Sequence, residues 1–94
     1  MSIARVLIVD DDADVRRMLL EYLGAHGYEV AAAANGAQMR AEFERARPDI
    51  VLLDVGLPGE DGLALARYLR ERHPVGIIMV TAAGDVVDRV VGLE

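Results

Sequence analysis

Hydrophobic residues in this chain fall into short unbroken runs separated by stretches of helical period. Val6-Leu7-Ile8-Val9, residues 28–33, Ile50-Val51-Leu52-Leu53 and Ile77-Ile78-Met79-Val80 are rich in β-branched or large aliphatic side chains, apart from the Ala-rich second run. None alternates apolar with polar, so each is expected to be a strand buried on both faces, as in the middle of a parallel sheet. Between the first two runs, Val15, Met18, Leu19, Tyr22 and Leu23 recur at helical spacing, with Arg16, Arg17 and Glu21 on the opposite side. A second helix is predicted over residues 37–46, between the turn-forming Asn35-Gly36 and Pro48, with Met39 and Phe43 one turn apart. A third is predicted over residues 63–72, with Leu65, Ala66 and Leu69 inward and His73-Pro74 as its stop.

Residues 85–93 are expected to form a fourth and loosest helix, because Val86, Val87, Val90 and Val91 each lower helix propensity by about a few tenths of a kcal/mol. The order is then βαβαβαβα. Right-handed crossovers place the helices on both faces of an open parallel sheet, an α/β architecture. With 94 residues and no linker, repeat or low-complexity stretch, residues 1–94 are read as one domain with room for one site.

Composition narrows the function. An apolar content of 53% fits doubly buried strands. No apolar run approaches the ~20 residues needed to cross a bilayer, and the first residues lack the basic and apolar regions of a secretory signal. With no Cys, disulfides, thiolate metal sites and Cys nucleophiles are excluded, and a cytoplasmic location is expected. The net charge of −6 argues against a grip on a nucleic-acid backbone by this segment. All ten basic residues are Arg; there is no Lys.

The candidate chemistry lies at strand ends. In open doubly wound sheets, ligands bind beyond the carboxyl ends of the strands, where strand order reverses. Here the first strand runs into Asp10-Asp11-Asp12, the third ends at Asp54, and the fourth is followed by Thr81. If the first and third strands are neighbours, Asp10, Asp11 and Asp54 converge and repel, and a hard cation relieves that repulsion. Oxygen ligands with an unfilled shell suit Mg²⁺.

Val9-Asp10-Asp11 after the first strand, the stretch from Leu52-Leu53-Asp54 through Pro58 to Gly62, and Val80-Thr81-Ala82 together resemble the receiver (CheY-like) domain of two-component response regulators, along the whole chain. That resemblance implies a flavodoxin-like doubly wound parallel sheet of strand order 2-1-3-4. It also implies Asp54 as phosphoacceptor, Asp11 as principal Mg²⁺ ligand, Asp10 contacting the metal mostly through water, and the Gly56 carbonyl as a further ligand. One Asp54 oxygen would attack the phosphorus of a phosphohistidine on a sensor histidine kinase. The Thr81 hydroxyl would donate to a phosphoryl oxygen after transfer, coupling the site to the fourth helix. On this likeness the chain is a signalling phosphoacceptor, not an enzyme in the ordinary sense. Residues 85–94 further resemble the OmpR/PhoB subfamily, whose receivers usually precede a winged-helix DNA-binding domain, so any DNA contact would belong to an effector domain.

Two departures matter. A typical receiver has a fifth strand, a fifth helix and a Lys that pairs with the phosphoryl group. Here the chain contains no Lys, and the fifth strand and helix are expected to be missing. Three carboxylates with Mg²⁺ leave about −1 before a phosphoryl dianion arrives. Loss of one preorganised charge would slow transfer by roughly 10²–10³. A sheet incomplete after the fourth helix would leave the fourth strand as an apolar edge, favouring a homodimer or strand-exchanged self-association. The rival reading is therefore a receiver-like module that is not phosphorylated and acts only by association.

Other classes fit less well. Aspartyl phosphohydrolases usually carry a second Asp two residues after the nucleophile, where this chain has Gly56, and no Gly-rich loop follows the first strand to hold a dinucleotide. Asp12 and Asp14 are explained by helix capping, and His26 and His73 by helix C-termini. Small Gly56 and Ala83, at positions that tune dephosphorylation in the family, suggest a short-lived phosphate.

Overall fold

The structure, a computed structural model, describes residues 4–54, 62–72, 75–80 and 89–91. In chain order they form β1 (Arg5–Val9), α1 (Ala13–Ala25), β2 (Glu29–Ala33), α2 (Gly36–Arg45), β3 (Ile50–Asp54), α3 (Gly62–Arg72), β4 (Gly76–Val80) and β5 (Arg89–Val91). The sheet order is β2-β1-β3-β4-β5, with the first four strands parallel. Each of the four apolar runs of the sequence forms a strand, α1 contains the whole predicted stripe from Val15 to Leu23, and α2 and α3 fall within a residue of their expected bounds.

The fourth does not. Arg89–Val91, expected within a helix, is instead a strand paired antiparallel to β4, with Val90 abreast of Ile78. The β-branched pair Val90-Val91 favours extended backbone, and β4 would otherwise present unpaired N–H and C=O groups. Two expectations fall together: the sheet has a fifth strand, although not the parallel one of a typical receiver, and β4 is not its edge. The rest of residues 85–93 lies outside the described residues.

Period-two geometry divides the strand side chains between two unequal faces. On one, Leu7, Val9, Ala33, Val51, Leu53, Ile77 and Met79 meet Met39 and Phe43 of α2 and Leu65, Ala66 and Leu69 of α3 in a continuous buried core. On the other, Val6, Ile50, Leu52 and Ile78 meet Leu23 of α1 and Tyr28 around an apolar cavity of about 170 Å³. Here Ile50, Leu52 and Ile78 stay half-buried and α1 has no buried residue. Met18 and Tyr22, placed inward by periodicity, are 58% and 60% exposed. The helix rests on β1 and β2 through one narrow stripe, and among the described residues no second helix stands beside it over β3 and β4.

Local chemistry sets the helix ends. Asp12 caps α1, its carboxylate accepting from the N–H groups of Asp14 at 2.9 Å and Val15 at 3.4 Å, as expected of its position. At the other end Gly27 takes φ 92°, which lets Tyr28 N–H reach the Leu23 carbonyl at 3.2 Å and Gly27 N–H the Gly24 carbonyl at 3.2 Å. His26 is the C-cap and bonds the Tyr22 carbonyl through Nδ1 at 2.8 Å, so its role there is structural. Asn35, read only as a turn residue, is the N-cap of α2 and accepts from Gln38 N–H at 2.9 Å. Below the sheet Asp49 accepts from Arg5 N–H at 2.8 Å while its own N–H donates to the Arg5 carbonyl at 2.7 Å. That exchange ties the entry of β3 to β1 and keeps the opposite ends of both strands level.

Candidate acidic site at the β1 and β3 strand ends

The chain runs from β1 to β2 on one side and returns to β3 on the other, so the order reverses between β1 and β3. Their carboxyl ends flank that crevice. The parallel register sets Val9 abreast of Leu53, which brings the next residues, Asp10 and Asp54, to the same rim. Ligand oxygens of Asp10, Asp11 and Asp54 all lie within 4.8 Å of one another. Among the described residues this is the single grouping of three or more acidic or His side chains that could hold a metal ion. Asp12 and Asp14 are not in it: the first caps α1 and the second pairs with Arg17 at 2.7 Å.

The three carboxylates differ in setting. Asp54 is 5% exposed, the one buried polar side chain among the described residues, whereas Asp10 is half-buried and Asp11 exposed. Asp10 is held on three sides: its N–H donates to the Ala33 carbonyl at 3.0 Å, its carboxylate accepts from Asp12 N–H at 2.9 Å, and its carbonyl accepts from Arg16 Nη1 at 2.8 Å. Arg16 therefore does not stand on the solvent side of α1, as its spacing suggested, but turns half-buried toward the rim. The signal lay in its place four residues after the N-cap Asp12, where a long side chain reaches back over the first turn.

Burial pushes the Asp10 carboxyl above its ordinary pKa. The Asp12 N–H bond partly offsets this, and the charges of Asp54, Asp11 and Asp12 add to the rise. A raised folded-state pKa means the folded protein binds the Asp10 proton more tightly than the unfolded chain. That stability is present at low pH and is lost as pH rises from about 3.8 through the raised value. Without divalent cation, the parent is expected to lose stability relative to Asp10→Asn over that interval. Saturating Mg²⁺ is expected to close the gap. Denaturation midpoints of the two proteins that stay parallel across that interval would contradict this.

The donor set suits Mg²⁺: hard anionic oxygens, fewer than a full shell, open to solvent at Asp11 so that waters can complete the coordination. Val80 lies abreast of Asp54 in the β3–β4 register, so Thr81 follows the residue neighbouring Asp54. Thr81 itself lies outside the described residues, as do Gly56, Pro58, Asp61, His73, Ala83 and Asp88. Among the described residues no helix is long and apolar enough to cross a membrane.

Residues 6–94 match the family described as the response regulator receiver domain. The transcriptional regulatory protein AruR of Pseudomonas aeruginosa is 48% identical over 97 residues, spanning 98% of this chain and 40% of that protein. The chain thus spans well under half the length of that curated relative. Among solved structures, a CheY-like response regulator receiver domain protein from Methanospirillum hungatei superposes with a TM-score of 0.81 at 33% identity, covering 89% of this chain and 68% of that one. The response regulator TrrA of Thermotoga maritima, in complex with Mg²⁺-BeF, gives 0.78 at 36% identity, covering 89% and 72%. With an order of β2-β1-β3-β4 in its parallel strands, helices on both faces and carboxylates gathered where β1 and β3 end, this chain belongs to the receiver-domain family of two-component response regulators.

Proposed function

We propose that Asp54 is the phosphoacceptor, that Asp10 and Asp11 with Asp54 hold Mg²⁺, and that the phosphoryl donor is a phosphohistidine on a sensor histidine kinase. The observation that carries this reading is a buried Asp54 carboxylate at a strand end with two further carboxylates within 4.8 Å. Burial keeps Asp54 in one orientation, and the exposed Asp11 beside it leaves an approach for a donor from solvent. In the transfer one Asp54 oxygen forms a bond to phosphorus as the phosphorus–nitrogen bond of the donor breaks, and the departing imidazole takes up a proton. When bound, Mg²⁺ supplies the positive charge that lets an anionic oxygen meet an anionic phosphoryl group. The Thr81 hydroxyl then donates to a phosphoryl oxygen, and the Gly56 carbonyl completes the protein ligands. The Mg²⁺ in the related TrrA structure supports the cation assignment.

The likeness to transcriptional regulators supports an output in transcription through a DNA-binding effector domain of a longer cytoplasmic protein. The domain would act as a phosphorylation-controlled switch and not as an enzyme with turnover of its own. Intact mass after incubation with Mg²⁺ and a small-molecule phosphodonor tests the reading. A phosphoryl adduct on the folded parent is expected, and none would favour the association-only module.

One observation does favour association as an added property. Half-buried Ile50, Leu52 and Ile78 leave an apolar strip on the α1 face of the sheet beside exposed Met18 and Tyr22. Light scattering at rising protein concentration is expected to show a dimer of this 94-residue chain, dispersed by Ile78→Glu. A monomer at every concentration would remove the idea.

A further inference from the structure

We infer that Arg16 is a positioning residue for the cation site, acting through the Asp10 main chain to place the Asp11 carboxylate; the inference rests on the Mg²⁺ reading above. Asp11 is exposed, and among the described residues its carboxylate accepts no hydrogen bond from the protein. Its place in the cluster is therefore set by the backbone from which it hangs. That backbone is the Asp10–Asp11 peptide, and a planar peptide is oriented once its carbonyl is fixed. The Asp10 N–H is held by the Ala33 carbonyl on the near side of this peptide, and the turn closed by Asp12 N–H on the Asp10 carboxylate spans the peptide without bonding its carbonyl. The carbonyl is held by Arg16 Nη1 at 2.8 Å. A charged, half-buried donor makes a stronger and more directional bond than a neutral one. The adjoining bond from Arg16 N–H to the Asp12 carbonyl at 3.0 Å anchors the guanidinium's own backbone to the same turn.

The alternative is that Arg16 matters only as a charge near an acidic rim. The two roles predict opposite signs. A bare cation near the site repels Mg²⁺, so neutralising it would tighten Mg²⁺ binding. A positioning residue does the reverse: removing groups that orient metal ligands weakens binding, typically by 10- to 100-fold.

The test uses the full chain and Mg²⁺ alone as probe. Mg²⁺ half-saturation is read from NMR shift titrations for the parent, Arg16→Met, which keeps an apolar stem, Arg16→Lys, which retains a cationic donor, and Arg17→Met as a surface control. Arg16→Met is expected to need roughly 10-fold more Mg²⁺. Arg16→Lys should lie between it and the parent, and Arg17→Met should match the parent. Phosphorylation should follow the same split, slowed at limiting Mg²⁺ and near parental at saturation. Equal or tighter binding by folded Arg16→Met overturns the inference. If Arg16→Met does not stay folded, Arg16→Gln, with a shorter neutral donor, decides by the same criterion. A parent that binds no Mg²⁺ at all would defeat the cation reading itself, a different outcome from a parent that binds and variants that bind alike.

Discussion

Asp54→Asn is expected to carry no phosphoryl adduct under conditions in which the parent is labelled. The amide has the shape of the carboxylate but not its nucleophilic oxygen, so the change removes the reacting group while leaving the surrounding packing nearly undisturbed. Because Asp54 is 5% exposed, a larger or smaller replacement would mix a packing defect with the chemical one, and Asn avoids that. Asp10 and Asp11 sit close enough to act as substitutes, which makes the experiment discriminating. A residual adduct of similar stoichiometry on Asp54→Asn would mean that one of them accepts the group.

Removal of Mg²⁺ has the second largest expected effect. Chelation should slow labelling of the parent by roughly 10²–10³, equivalent to about 3–4 kcal/mol in the barrier. The physical reason is the local charge: three carboxylates within 4.8 Å face an anionic donor, and the chain contains no Lys to help. Asp11→Asn should respond differently from chelation. With one ligand weakened and two remaining, more Mg²⁺ should restore much of the rate, whereas no addition rescues Asp54→Asn. Labelling that proceeds equally fast in a chelator would refute a metal role, whatever the carboxylate geometry. The charge shortfall also predicts that this domain is slow even with Mg²⁺, since among the described residues the cation bonded to the rim is Arg16, and its bond is to the Asp10 carbonyl.

Much of this architecture was legible in the residue pattern because buried parallel strands have little freedom in composition. Unbroken aliphatic runs such as Ile50–Leu53 and Ile77–Val80 serve few other structures, and the helical stripes of Met39 with Phe43 and of Leu65, Ala66 and Leu69 proved to be the core face. The acidic site was legible for the same reason: a run that ends in Asp places that Asp at a strand end, and parallel topology puts all such ends on one side. The receiver likeness then supplied the adjacency of β1 and β3 that the residue pattern alone left conditional.

Three things were not legible. Residues 89–91 carry valines that weaken a helix without excluding one, and a strand there depends on the vacant edge of β4, a partner remote in sequence. Met18 and Tyr22 follow the apolar stripe of α1, but exposure is decided by what stands opposite, and the sheet beneath reaches only part of that helix. Arg16 lies at a polar position of the same helix, and its turn toward the rim depends on a free carbonyl at Asp10. Composition and period thus determined which segments became strands and helices, and which carboxylates stand at strand ends, because those choices are local and governed by burial. Only the tertiary structure decided how close the carboxylates come, which groups orient them and which apolar side chains stay in water, because each depends on neighbours brought together by the fold and not by the chain.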